Sequence, residues 1–133
     1  MPPIREKKGY QGRGKVNVSQ QLLSFNRNVA MDRVGGDEDL LREIAGLFLS
    51  EYPKLMDDIH QAVLEGDADR MQHAAHTLKG SLGTLGAEAA FPLALELEMK
   101  GRHRQLEGSA ESCEKLRESL AILHSELALV AAG

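Results

Sequence analysis

Residues 71–86 read "MQHAAHTLKGSLGTLG". Met71, Ala75, Leu78, Leu82 and Leu85 recur at steps of three and four, the period of one apolar helix face. The same sixteen residues hold His73, His76 and Lys79 with the glycines Gly80, Gly83 and Gly86. Gly86 sits where a glycine commonly closes a helix. Gly80 and Gly83 fall inside it, where glycine costs about 1 kcal/mol relative to alanine. The stretch therefore predicts a helix with one face committed to a core and another face not optimised for helix stability.

On a helical wheel His76 lies roughly 140° from the centre of the apolar stripe, on the solvent side. Gly80 is one turn further along that face, Lys79 flanks it at i+3, and Gln72 precedes it by one turn. Glycine removes the side chains that would crowd the imidazole and lets another surface approach the backbone. Lys79 puts a cation near any anion carried by the ring. Taken singly, each residue has a plainer reading. An exposed histidine is usually a surface residue, and small residues also permit close helix packing. Their clustering points to a platform that carries a charged group on His76 beneath a docked partner.

Outward from this helix the chain reads as helices throughout. Ser24 is a candidate cap for a short helix carrying Phe25, Val29 and Val34 before Gly35-Gly36. Asp37 can cap a longer one whose stripe is Leu41, Ile44, Phe48, Tyr52, Leu55, Ile59 and Ala62, ending at Gly66. Pro53 inside it predicts one long kinked helix. Asp67 caps the helix of the opening stretch. A fourth runs from about Ala87 to Lys100, with Ala90, Leu93, Ala94 and Leu97 inward and Gly101 following. Ser109 caps a last one carrying Cys113, Leu116, Leu120, Leu123, Leu127 and Val130, with Cys113 a small core residue. Short loops make neighbours antiparallel. The expected fold is all-α: an antiparallel up-down four-helix bundle with a short extra N-terminal helix.

Composition agrees. Only 4% of the 133 residues are aromatic and none is Trp, so the core is aliphatic, which suits helices better than strands. A single cysteine excludes an internal disulfide and fits a reducing, cytoplasmic setting. No apolar run reaches the ~20 residues of a membrane span, and no signal peptide is visible at the N-terminus. Residues 1–23 carry five basic residues against one acidic and have no periodicity, which reads as a disordered basic arm or interdomain linker. Residues 24–133, the folded domain, carry eleven basic and nineteen acidic residues, which argues against nucleic acid as the main partner. A self-contained bundle buries its own stripes, so a monomer is expected.

The segment "AAHTLKGSLGTLGA" (74–87) resembles the signature of histidine-containing phosphotransfer (HPt) domains, an H-x-L-K-G core on a helix. The likeness extends to "GGDEDLLREIAGLFLSEYPKLMDDIHQAV" (35–63) and "LALELEMKGR" (93–102), and covers about residues 25–130. The resemblance implies a phosphocarrier that takes a phosphoryl group on a histidine and exchanges it with an aspartate of a response-regulator receiver domain. By position His76 would be phosphorylated, Lys79 would stabilise the phosphoryl charge, and Gly80 would keep the approach open. Glu98, 22 residues after His76, would hydrogen-bond the imidazole. Gln72, Gly83 and Arg102 would meet the partner. A sensor or hybrid histidine kinase would be the other partner.

On the fourth helix Glu98 lies about 100° from the core centre, on a flank that can face His76. A carboxylate there would hold the Nδ1 proton and leave Nε2 as nucleophile. The plain alternative is a solvated Glu98 paired with Arg102 at i+4. Arg102, His103 and Arg104 suit the helix dipole and would also steer an acidic partner. No P-loop or kinase glycine loop is present, so the chain is not expected to be an ATP-using enzyme or to carry a cofactor; Mg²⁺ would come with the receiver. Two rival functions stay open. One is a Zn²⁺ site using His73 and His76, which lacks a four-ligand set. The other is a bundle that binds a partner without phosphorylation. Within the family, Glu98 leans toward the HPt domain of a chemotaxis-type kinase, while "HTLKG" and the last helix lean toward the relay type.

Overall fold

The computed structural model describes residues 22–133. The arm or linker reading of the N-terminal segment lies outside the described residues up to residue 21. Five helices follow in order: α1 (Arg27–Arg33), α2 (Glu38–Glu65), α3 (Ala68–Thr84), α4 (Phe91–Arg102) and α5 (Ser109–Ala132), with no strand among the described residues. Helix contacts run in a ring, α2 to α3 to α4 to α5 and back to α2, without diagonal contacts, while α1 rests on α2 and α3. Short connections and ring order make this the up-down four-helix bundle with a short extra helix.

The core is aliphatic. Met71, Ala75, Leu78, Leu82 and Leu85, the stripe of the opening stretch, are all buried. So are Leu116, Leu120, Leu123, Leu127 and Cys113 of α5. The buried line of α2 is rotated slightly from the expected one. Ala45 and Met56 are in the core, while Ile44, Tyr52 and Leu55 are half-buried against it. A small Ala45 lets a neighbouring helix settle beside the predicted stripe rather than on it. Pro53 is contained in one unbroken α2.

Several helix ends differ from expectation. Asn26, not Ser24, caps α1: its Oδ1 accepts from the Val29 N–H at 3.2 Å. Ser24 instead donates its hydroxyl to Glu126 of α5. Asn26 also donates to Glu88 at 2.7 Å, and its N–H donates to the Gly86 carbonyl at 2.8 Å. Leu23 donates its backbone N–H to the same Glu88 carboxylate. Gly86 allows this close approach. Its φ is 67°, and a Cβ there would fall 2.6 Å from the Asn26 carbonyl oxygen. Ser109 is the first residue of α5 rather than its cap, a position taken by Gly108 with φ 80°.

The fourth helix begins at Phe91, four residues later than expected, because residues 87–90 turn before Pro92 sets the first turn. It also continues through Gly101 to Arg102. Gly101 is therefore no stop signal. It is buried where α4 crosses α3, and a Cβ on it would sit 2.7 Å from the Ala68 carbonyl oxygen and 2.9 Å from the Gln72 nitrogen. These are backbone atoms that cannot swing aside. Gly101→Ala is expected to push the two helices apart. Overpacking costs ~1–3 kcal/mol, and the helix-propensity gain of about 1 kcal/mol offsets only part of it. Thermal denaturation should give a Tm roughly 5 °C lower.

Candidate functional site

The α3–α4 crossing puts one buried acid beneath the exposed face of α3. Glu98 is 1% exposed, although its wheel angle had suggested a flank. The flank becomes interior because Gly101, three residues on, brings α4 against the backbone of α3. Three side chains converge on the carboxylate. His76 Nδ1 is 2.8 Å from Oε2. Arg102 Nη2 donates to the same oxygen at 3.1 Å. Lys79 Nζ is 2.8 Å from Oε1, an ion pair more than a directed hydrogen bond. Of the two readings of Glu98 the histidine contact is present; the Arg102 pairing of the alternative is present too, but on a buried carboxylate rather than a solvated one, with one oxygen serving both partners.

Burial alone would raise the Glu98 pKa, but the bonds and charges of Lys79 and His76 outweigh it and hold the carboxyl below its usual value of 4.5. An ionised carboxylate only accepts hydrogen bonds. The proton of the His76–Glu98 bond must then be on His76 Nδ1, and in the neutral ring the lone pair is therefore on Nε2. The His76 side chain is 66% exposed, so that lone pair faces solvent.

The same shift carries a pH dependence. A carboxyl whose folded pKa is depressed contributes stability that is present above its unfolded pKa and is lost as pH falls through the folded pKa. Wild type should therefore exceed Glu98→Gln in Tm at neutral pH. The gap should close as pH drops below ~4, which paired melts across an acid series would read.

The other expected residues divide. Gly80 is exposed, and among the described residues a Cβ on it would meet nothing within 4 Å. Gly83 is half-buried instead. A Cβ on it would touch the Phe91 ring at 3.4 Å, and its carbonyl accepts from Arg33 of α1. Close packing explains Gly83 at least as well as an open face does. Gln72, also half-buried, lends its backbone to the Gly101 crossing. His73 does not join His76. Its Nδ1 donates to the Asp69 carbonyl one turn back, at 2.8 Å. Among the described residues no three His, Cys, Asp or Glu side chains gather closely enough to hold a metal ion, and no helix is long and apolar enough to cross a membrane.

Two contributors, Gly101 and Arg33, were missed from sequence. Gly101 was visible in "MKGR" but read as a terminus. Arg33 and Arg104 reach α3 from other elements, to Gly83 and Asp69 respectively; no local pattern marks Arg33, and Arg104 was read as a steering charge without its contact to Asp69.

Comparison with known proteins gives a consistent result. The family model described as "Hpt domain" matches residues 43–126. The structure of histidine-containing phosphotransfer protein B (HptB) from Pseudomonas aeruginosa PAO1 aligns with a TM-score of 0.76 at 22% identity, covering 82% of this chain and 95% of that one. The Hpt domain of a sensor hybrid histidine kinase from Shewanella aligns with a TM-score of 0.74 at 19% identity, covering 82% and 94%. No curated protein sequence matches the chain.

Proposed function

This chain belongs to the Hpt domain family, and from that premise we propose that it is a phosphocarrier of a two-component phosphorelay with His76 as the phosphoryl acceptor. The observation that carries the reading is the 2.8 Å bond between His76 Nδ1 and the buried Glu98 carboxylate. It fixes the tautomer and leaves Nε2 as an exposed nucleophile. The partners would be the aspartyl-phosphate of a receiver domain and, upstream, a sensor or hybrid kinase.

In the forward step the Nε2 lone pair attacks the phosphorus of the receiver's acyl phosphate. An N–P bond forms and the P–O bond to the aspartate breaks, the electron pair leaving with that carboxylate. The ring becomes a phosphorylated imidazolium that keeps its Nδ1 proton, and Glu98 balances the new positive charge. Transfer back to an aspartate reverses the same bonds. Catalysis of this kind depends on positioning and charge stabilisation, so the domain needs no ATP site, and Mg²⁺ would be held by the receiver. Lys79, paired with Glu98 at rest and three residues after His76 on the same helix, would turn toward the phosphoryl group. Gln72, Gly83 and Arg102 would border the docked receiver.

Gly80 supports the reading through its cost. No contact among the described residues calls for a glycine at this exposed helical position. Gly80→Ala should therefore stabilise the fold by about 0.5–1 kcal/mol and still slow phosphoryl exchange. A melt and a transfer assay on one preparation check both halves.

The test of the function is uptake of labelled phosphoryl from phosphorylated receiver domains or a hybrid kinase. The proposal expects a label that is labile in acid and stable in alkali, as a phosphoramidate is. A folded protein that takes no label from a broad set of donors would make it a binding module instead.

A further inference from the structure

Seven positions in the described chain have positive φ. Six are glycines: 35, 36, 66, 86, 108 and 133. The seventh is Arg104, with φ 55°. Left-handed backbone costs a residue with a Cβ about 1–2 kcal/mol. Arg104 directly follows the C-cap of α4, the position at which glycine is most favoured. Its side chain crosses to α3, where Nη2 donates to Asp69 Oδ1 at 2.9 Å. The two side chains are 68% and 66% exposed. Exposed pairs of this kind contribute ~0–1 kcal/mol, too little to offset the backbone cost. For the fold alone, glycine would serve better.

The location gives the arginine another use. Asp69 precedes His76 by seven residues, two turns back on the same face of α3, or about 10 Å along the axis. Gly83, whose carbonyl accepts from Arg33, follows His76 by seven. Arg102 sits between, on Glu98. Three guanidinium groups, Arg33 from α1 and Arg102 and Arg104 from the C-terminal end of α4, thus frame the His76 face of a domain that is otherwise acidic.

We propose that Arg104 is a partner-reading residue whose guanidinium exchanges the Asp69 carboxylate for a carboxylate on the rim of the receiver domain that docks over His76. The inference rests on the phosphoryl-exchange reading above. Asp69 acts as a placeholder: it holds the fork extended over the face, so less side-chain freedom is lost on docking. Arginine suits the role because its planar fork matches a carboxylate in two-point contact. A rim charge acts on encounter rather than on the bond-making step.

The experiment has two arms. Wild-type protein is first treated with phosphoramidate, a donor too small to feel the rim. Phosphorylated wild type, Arg104→Gly and Arg104→Lys are then compared in transfer to Mg²⁺-loaded receiver domains from the source genome. Ionic strengths of about 0.01 and about 1 M are used, where the Debye length is ~30 and ~3 Å. Arg104→Gly should melt higher than wild type yet show a kcat/KM for transfer roughly two- to fivefold lower at low ionic strength. The saturating rate should hold and the deficit should vanish at high ionic strength. Arg104→Lys should recover part of the loss. If Arg104→Gly transfers at the wild-type kcat/KM at low ionic strength, or loses saturating rate regardless of salt, the inference is overturned while the relay reading stands. If wild type loads no phosphoryl group and exchanges none with any receiver, the relay reading itself falls, and this inference with it.

Discussion

A His76→Gln protein is expected to fold like the wild type and to take no phosphoryl label. The His76 side chain is 66% exposed, and the contact it makes is with Glu98. Glutamine carries an amide N–H₂ that can still donate toward that carboxylate. The change in stability should stay within the ~0.5 kcal/mol usual for surface substitutions. An amide nitrogen has no nucleophilic lone pair, so the loss of label should be complete rather than partial. His73 should not substitute for it, because it stands a turn's breadth away and its Nδ1 is held by the Asp69 backbone carbonyl rather than by a buried carboxylate. Circular dichroism together with a label-transfer gel checks both parts. Residual acid-labile label on the variant would mean that another histidine is the acceptor.

The second large effect is expected at Glu98. Truncation to Ala removes the shared partner of His76, Lys79 and Arg102 and leaves a hole at a position that is 1% exposed. Breaking a fully buried ion pair costs ~3–5 kcal/mol, because an uncompensated charge stays buried. Here the three partners are 66%, 21% and 51% exposed, so each can turn toward water. The expected loss is therefore lower, about 2 kcal/mol. The functional effect follows from the tautomer. Without an acceptor at Nδ1 the ring is free to rotate and to carry its proton on either nitrogen. Removal of the group that orients a working histidine typically costs ~10- to 100-fold, and label uptake should slow by about that much. Glu98→Gln retains an acceptor oxygen and should recover most of the rate while giving up the charge. A truncated variant as slow as its Gln counterpart would show that charge matters and orientation does not.

The two effects also mark what was legible beforehand. The α3 stripe was readable because a buried helix face obeys a 3.6-residue period whatever its surroundings, and every member of it is buried. The α2 stripe was readable only approximately, since Ala45 and Met56 owe their burial to where neighbouring helices settle. Glu98 shows the limit more sharply. A wheel gives an angle about one axis, but burial depends on how near the next axis lies, and Gly101 sets that distance from a position that looked like a terminus. Helix starts were misjudged where a neighbouring candidate competed, as Asn26 did with Ser24 and Gly108 with Ser109. Arg33 could not be found at all, because its contact joins elements 50 residues apart, and Arg104 was legible as a steering charge but not as the partner of Asp69, 35 residues away. The roles of the site residues came from the resemblance carried by "HTLKG". Geometry then supplied the contacts that make those roles physically reasonable.

The central claim is that Glu98 holds the His76 proton on Nδ1 so that phosphorus is received at Nε2. Nitrogen–phosphorus coupling in NMR of the phosphorylated protein tests it most directly. The account predicts phosphorus on His76 Nε2, with the Nδ1 proton still present and shifted by its bond to Glu98. Phosphorus on Nδ1, or on any other residue, would contradict it.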